Sequence, residues 1–292
     1  VKGDSLVLFG MDPNRLTSVA YDGDQVTQHA IQLEGLASGT RYYYQVGTNG
    51  RLLTVPVPFT TNSHGDDFSF IVFGDGGTGL PPQYGVAQAI REVDFDFAVI
   101  SGNVDQAGGA AENYDPNHFA PYRDFIREKC FWTTIGNHDG EADQAESYLD
   151  IFYLPSNNPV GTERYYSFDY GNAHFTVMHS DQPWLYPEQL AWVREDLAAA
   201  NTNANIKWKF VIVHHAPYSS GLYGLISQDA GRWIQDRYVP IFEKYGVAIV
   251  FSGHSNFYER SCQLRVGECV GQGVATSPYG TCGRGANRGG MN

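Results

Sequence analysis

The chain has 292 residues, 42% of them hydrophobic and 17% charged, a balance that suits one large or two modest globular domains and excludes wholesale disorder. Its formal charge of -13 and pI near 5.0 argue against a nucleic-acid or anionic-membrane surface, since binding phosphate backbones needs clustered Lys and Arg. No apolar run approaches bilayer length, and abundant Tyr (19), Phe (17) and Gly (33) suggest many strands and tight turns.

In chain order, the first sixty residues read as strands: "SLVLF", "TSVAY", "VTQHAIQL", "RYYYQVG" and "LLTVPVPFTT", separated by Gly, Asp and Asn turns. "FTTNSHGDD" (59–67) reads as a linker. From residue 68 apolar strands alternate with helical stretches, beginning "FSFIVFGD", "YGVAQAIREV", "FDFAVISGN", "NHFAPYRDFIREK" and "CFWTTIGNHD". The series continues with "YYSFDYGNAHFTVMHSD", "PEQLAWVREDLAAA", "WKFVIVHHAPYSS", "GRWIQDRYVPIFEKYG" and "VAIVFSGHSNFYER". This alternation predicts an α/β core with its strands covered on both sides. Pro187 is a plausible helix start, followed by an apolar stripe of Leu190, Trp192, Val193 and Leu197. The tail from residue 271 is Gly-rich and loop-like.

The glycines at 74, 76 and 79 satisfy G-x-G-x-x-G after a strand, the pattern of a dinucleotide turn. Asp75 inside that loop would set a negative charge against the phosphates, and no basic residue lies nearby, so the match is a decoy. Asp75 belongs instead to a series of polar strand ends. Asn103, Asp105 and Gln106 follow the second strand, Asn137, His138 and Asp139 the third. His214 and His215 follow "WKFVIV", and His254, Ser255 and Asn256 follow "VAIVFSG". Taken singly, each is an ordinary turn residue or structural histidine. Five successive strand ends bearing carboxylate, amide or imidazole form the donor set of a hydrolytic metal centre at the edge where open α/β sheets bind ligands.

"FGDGG", "SGNVDQ", "GNHD", "VHHAPYSS" and "SGHSNFYER" occur in the order and rough spacing of the calcineurin-like metallophosphoesterases, and the chain most resembles the purple acid phosphatases. "LEGLASGTRYYYQVG" (33–47) resembles a fibronectin-III-like sandwich. The resemblance implies a four-layer α/β/β/α sandwich over residues 63–292, short at its C-terminal end. Ahead of it stands a small, incomplete all-β sandwich over 1–62 whose leading strands are absent and whose open edge suits self-assembly or strand pairing. It also implies phosphate-ester hydrolysis at two metals about 3.5–4 Å apart.

Residue by residue, the resemblance puts Asp75 on the first metal and Asn103 where the family has a bridging aspartate. Gln106 stands where it has the tyrosine of the purple charge-transfer colour. Asn137 is the "GNH" ligand and His138 the outer acid for the leaving group. The next ligand is His214 rather than His215, because Tyr218 and Ser220 then match the pattern. His254 matches the first histidine of "GHxH", and Asn256 replaces the second. The first metal thus loses an anionic bridge, a phenolate and an imidazole, which makes an iron-containing dinuclear centre doubtful. The second position keeps Asn137, His214 and His254 for one divalent, zinc-like ion, with Asn103 as a neutral oxygen. The expected function is a purple-acid-phosphatase-like protein with a degenerate centre, inactive or weak, serving binding or assembly. The alternative is an active metal-dependent phosphomonoesterase.

The four cysteines, Cys130, Cys262, Cys269 and Cys282, do not pair as zinc ligands. Cys262 and Cys269 bracket a hairpin-length loop that a disulfide would close. An even cysteine count and scarce lysine point to an extracellular, secreted chain, without support from any N-x-S/T sequon.

Overall fold

The computed structural model describes residues 2–62, 65–182, 185–221, 228–265 and 268–269. Its first element group is an antiparallel sheet of β1 (Gly3–Gly10), β2 (Ser18–Val26), β3 (Arg41–Thr48), β4 (Arg51–Leu52) and β5 (Val57–Thr60). The order is β2-β1-β3-β4, with β5 also paired to β3, so β2 is an edge. One face carries Tyr42, Tyr44 and Phe59, with Tyr42 stacked on Phe59 at 5.8 Å. From that face the Tyr44 hydroxyl donates to the Arg127 carbonyl at 2.7 Å. The expected fibronectin-like sandwich is represented among the described residues by this one sheet.

Of the predicted strands, "VTQHAIQL" (26–33) does not form beyond Val26, which ends β2, and another is split. Residues 27–33 do not continue β2, because β2 lies at the sheet edge and extended propensity is realised only beside a partner. "LLTVPVPFTT" is two strands, not one. Thr54 Oγ1 accepts the Val46 N–H at 3.1 Å and its carbonyl accepts Gln45 Nε2, and Pro56 has no N–H to offer. Side chain and loop thus replace the ladder between β4 and β5.

The rest is built on two further sheets. One holds parallel strands in the order β6 (Phe70–Phe73), β7 (Phe97–Ile100) and β8 (Phe131–Thr133). The other has the order β12 (Ile249–Ser252), β11 (Trp208–Val213), β10 (Ala173–Met178) and β9 (Tyr166–Tyr170). β10, β11 and β12 run parallel and β9 antiparallel. Side chains alternate between faces along each strand, and both faces are apolar. Phe97 and Val99 join Phe175, Val177, Phe210 and Ile212 between the sheets, with Phe168 stacked on Phe175 at 4.8 Å. Each fully buried aromatic or branched side chain there contributes roughly 1.5–3 kcal/mol.

The alternate residues face helices. Ala98 packs with Ala87 and Ile90 of α1 (Pro81–Ile90) and with Tyr122 of α3 (Ala120–Ile126). Val211, Val213 and Met178 pack with Trp192, Val193 and Leu197 of α4 (Pro187–Thr202), and with Ile241 and Phe242 of the Val239–Tyr245 helix. Helix, sheet, sheet and helix form the four layers expected. The helix expected over 117–129 is interrupted: α2 (Ala111–Tyr114) passes through a wide π turn at Asp115–Phe119 before α3 resumes. Two prolines, Pro116 and Pro121, lie in that stretch and lack the N–H that a regular turn uses.

β13 (Leu264–Arg265) and β14 (Glu268–Cys269) form the short hairpin, Leu264 opposite Cys269. The Cys269 side chain, Cys282 and the Gly-rich tail lie outside the described residues, and so does the test of the Cys262–Cys269 disulfide. Among the described residues no helix is long and apolar enough to cross a membrane.

Candidate metal centre

The carboxyl ends of β6, β7 and β8 in one sheet and of β11 and β12 in the other meet at one seam. Asp75, Asn103, His254 and Asn256 all hold left-handed backbone there, with φ of 57, 52, 68 and 54°. Non-glycine residues rarely adopt that region, and each instance costs on the order of 1–2 kcal/mol. The strain buys close approach, which two glycines complete. A Cβ on Gly136 would lie 2.2 Å from Asn103 Oδ1, and one on Gly253 would lie 2.6 Å from Asp75 Oδ2.

Asp75 spans the seam. Its Oδ1 accepts Asn103 Nδ2 at 2.8 Å and its Oδ2 accepts the backbone N–H of His254 at 2.7 Å. Gln106 adds a smaller favourable contribution to the same carboxylate. Burial nevertheless pushes the Asp75 carboxyl up, against the donors that favour its anion.

The Asn103 amide has only one orientation that its neighbours accept. The backbone N–H of His138 donates to Asn103 Oδ1 at 3.0 Å. A backbone donor needs an acceptor, so the oxygen faces His138 and the NH2 faces inward. That NH2 contacts Asp75 and lies 3.5 Å from Asn137 Oδ1, which it holds inward as an acceptor.

His214 is likewise determined by one neighbour. Its Nδ1 lies 2.8 Å from the Ser101 carbonyl oxygen, an acceptor only, so Nδ1 carries the proton. Burial first, then the neighbouring His215 ring, hold His214 well below the usual histidine range and keep it neutral. Its Nε2 therefore presents a lone pair, 3.0 Å from Asn137 Oδ1. His254 Nδ1 lies 3.2 Å from the same oxygen, and burial lowers the His254 pKa as well. For His214, whose Nε2 carries no proton, this contact is not a hydrogen bond. It is the arrangement that a shared cation satisfies, since donors about 2.0–2.1 Å from an ion sit roughly 3.0–3.4 Å from one another.

Asn137, His214 and His254 thus fit one divalent ion. Beside them the Asp75 carboxylate is engaged by N–H donors, and the Asn103 amide presents protons to it rather than charge. Among the described residues no group of three or more His, Cys, Asp or Glu side chains is arranged to hold a metal. Asn256 is exposed and takes no part in the hydrogen bonds of the cluster. His138 stands at the rim, its Nδ1 2.7 Å from Glu141 Oε1.

Several residues named at the strand ends have supporting roles that escaped sequence reasoning. Asp139 is fully buried and accepts the N–H groups of Gly136, Val104 and Asp105 at 2.9–3.1 Å and the Tyr114 hydroxyl at 3.3 Å. It binds the "SGNVD" loop to the "GNHD" loop, and burial pushes its carboxyl up to about 7. Asp105 does the same for the next turn, accepting from Gly109, Asn113 and Asn117. His215 is held by Ser180: its backbone N–H donates to the Ser180 hydroxyl oxygen, and its Nδ1 lies 3.0 Å from the same atom. Asp139 and His215 sit inside quoted motifs, so a signal existed. The Ser101 carbonyl has none, because every residue carries one.

The calcineurin-like phosphoesterase profile matches residues 68–257. The Fe(3+)-Zn(2+) purple acid phosphatase 12 of Arabidopsis thaliana is 24% identical, over 80% of this chain and 52% of its own length. A purple acid phosphatase from yellow lupin seeds (Lupinus luteus) superposes with a TM-score of 0.75 at 18% identity, over 93% of this chain and 57% of the other. GAP50, the anchor in the inner membrane complex of Plasmodium, superposes with a TM-score of 0.50 at 18% identity, over 66% of this chain and 67% of the other. Both structural likenesses are of fold. The chain spans about half the length of the curated relatives it matches.

Proposed function

The chain belongs to the calcineurin-like phosphoesterase family, and on that footing we propose a purple-acid-phosphatase-like protein that keeps one cation position and has lost the other. Phosphate-ester hydrolysis is then feeble or absent, and the scaffold serves binding or assembly. The observation that carries this reading is the inward-facing NH2 of Asn103, fixed by the His138 N–H, where the family places a bridging carboxylate. Proton-bearing nitrogen repels a cation, and among the described residues none replaces the missing negative charge.

Asn137, His214 and His254 would hold the remaining ion, of the zinc-like class. Such an ion supplies electrophilic polarisation of a phosphoryl oxygen. The chain's own residues would do the rest. Ser101 keeps His214 in the tautomer with Nε2 free. Glu141 Oε1 lies 2.7 Å from His138 Nδ1, which leaves Nε2 for the oxygen of a leaving group. Residues 1–62 are read as the β domain and 63–292 as the phosphoesterase domain. The exposed edge of β2 supports strand pairing with another chain. Cysteine count and scarce lysine support a secreted protein with a Cys262–Cys269 disulfide.

A second reading, an active phosphomonoesterase, is favoured by the intact Asn137–His214–His254 trio and by His138. The fold shared with a protein described as an anchor favours the first. Elemental analysis of protein purified without chelator, with turnover of p-nitrophenyl phosphate, separates them. One divalent ion or none per chain with feeble turnover is expected. Two ions per chain with brisk turnover would reject the proposal.

A further inference from the structure

Asp75 follows β6 in one sheet, Asn103 follows β7 beside it, and His254 follows β12 in the other sheet. We propose that Asn103, Asp75 and the backbone N–H of His254 form a metal-independent clamp that closes the seam between the two sheets, in place of a cation at the first position. The inference rests on the reading above only in taking that position as altered.

Three features carry it. Both Asp75 oxygens are engaged, one from each sheet, at 2.8 and 2.7 Å. Charge-assisted bonds of that length are stronger than neutral ones and satisfy the carboxylate without an ion. The Asn103 amide is itself held at both ends, Oδ1 by His138 N–H and Nδ2 by Asp75, so the bridge is continuous from the "GNHD" loop to the "SGHSN" loop. The seam is also closed beside it by His214, whose ring N–H donates to the Ser101 carbonyl at 2.8 Å. Left-handed backbone at Asp75, Asn103 and His254 is the strain such a bridge must hold. A bridging carboxylate in place of Asn103 would oppose Asp75 at the same distance and would need a cation between them. The amide removes that need.

The test compares melting temperatures in excess EDTA at pH 7.5, so that occupancy of the Asn137–His214–His254 position does not enter. Asn103→Asp turns the 2.8 Å contact into facing carboxylates and is expected to melt roughly 3–8 °C below wild type. Mn²⁺ in excess over the chelator should then raise the melting temperature of this variant to that of wild type under the same Mn²⁺, and add one bound ion per chain relative to wild type. Asp75→Ala, which adds no charge, orphans the His254 N–H and the Asn103 NH2 and should lose a similar amount that Mn²⁺ does not restore. It serves if Asn103→Asp does not fold. Melting of both variants within 1 °C of wild type overturns the clamp. So does an Asn103→Asp deficit that Mn²⁺ leaves unchanged. Metal content and turnover of the wild type bear on the proposed function alone, so the two can fail separately.

Discussion

His214 donates its ring N–H to the Ser101 carbonyl across 2.8 Å, and that bond decides which nitrogen of the ring the site can use. It joins the ends of β11 and β7, so the same contact positions a donor atom and fastens one sheet to the other. His214→Ala should therefore show two losses. Divalent-ion affinity, read by titration calorimetry with Zn²⁺, should fall at least tenfold. Denaturant unfolding should show about 2–4 kcal/mol less stability, because a buried ring and its bond to Ser101 are removed together.

Restoring the family's ligands should reopen the first position. The triple variant Asn103→Asp, Gln106→Tyr and Asn256→His supplies a bridge, a phenolate and an imidazole. Elemental analysis is expected to find two metals per chain. One metal or none would mean that these three positions are not the ligand positions.

Asp139 accepts four hydrogen bonds in a fully buried setting. Asp139→Asn keeps the shape but turns an NH2 toward two of those donors. At least one backbone N–H is then left without an acceptor, a loss of about 1–3 kcal/mol. Hydrogen exchange at Gly136, Val104 and Asp105 should identify which loop loosens.

His174 lies away from the centre, with Nδ1 2.7 Å from Asp169 and Nε2 2.9 Å from Asp196. Burial disfavours the charged ring, but hydrogen bonds to the two carboxylates outweigh it and raise the pKa to about 9. The folded value lies above the unfolded one of about 6.5, so this stabilisation is complete below pH 6.5 and is lost as pH rises through 9. It amounts to roughly 3 kcal/mol at full strength. The stability difference between wild type and His174→Gln, measured from pH 6 to pH 10, should shrink across that interval. A constant difference would mean that the ring is neutral throughout.

Much of the architecture was legible because it is local. β7 and β11 read as strands from uninterrupted apolar runs, and α4 read as a helix from Pro187 and the spacing of Trp192, Val193 and Leu197. Misreadings occurred where a neighbour decides. Residues 27–33 have strand composition but follow an edge strand, and the helix expected over 117–129 carries a π turn near two prolines.

The sequence by itself determined which chemical groups stand at the strand ends: Asp75, Asn103, Asn137, His214 and His254 are there because each follows an apolar run that must form a buried strand. Tertiary structure alone decided how those groups face one another. The Asn103 amide could point either way until the His138 N–H oriented it, and His214 could carry its proton on either nitrogen until the Ser101 carbonyl chose one. Strand formation depends on residues a few positions apart. Hydrogen-bond direction here depends on partners 35 and 113 residues away, the first brought together when β7 pairs with β8 and the second only when the two sheets pack.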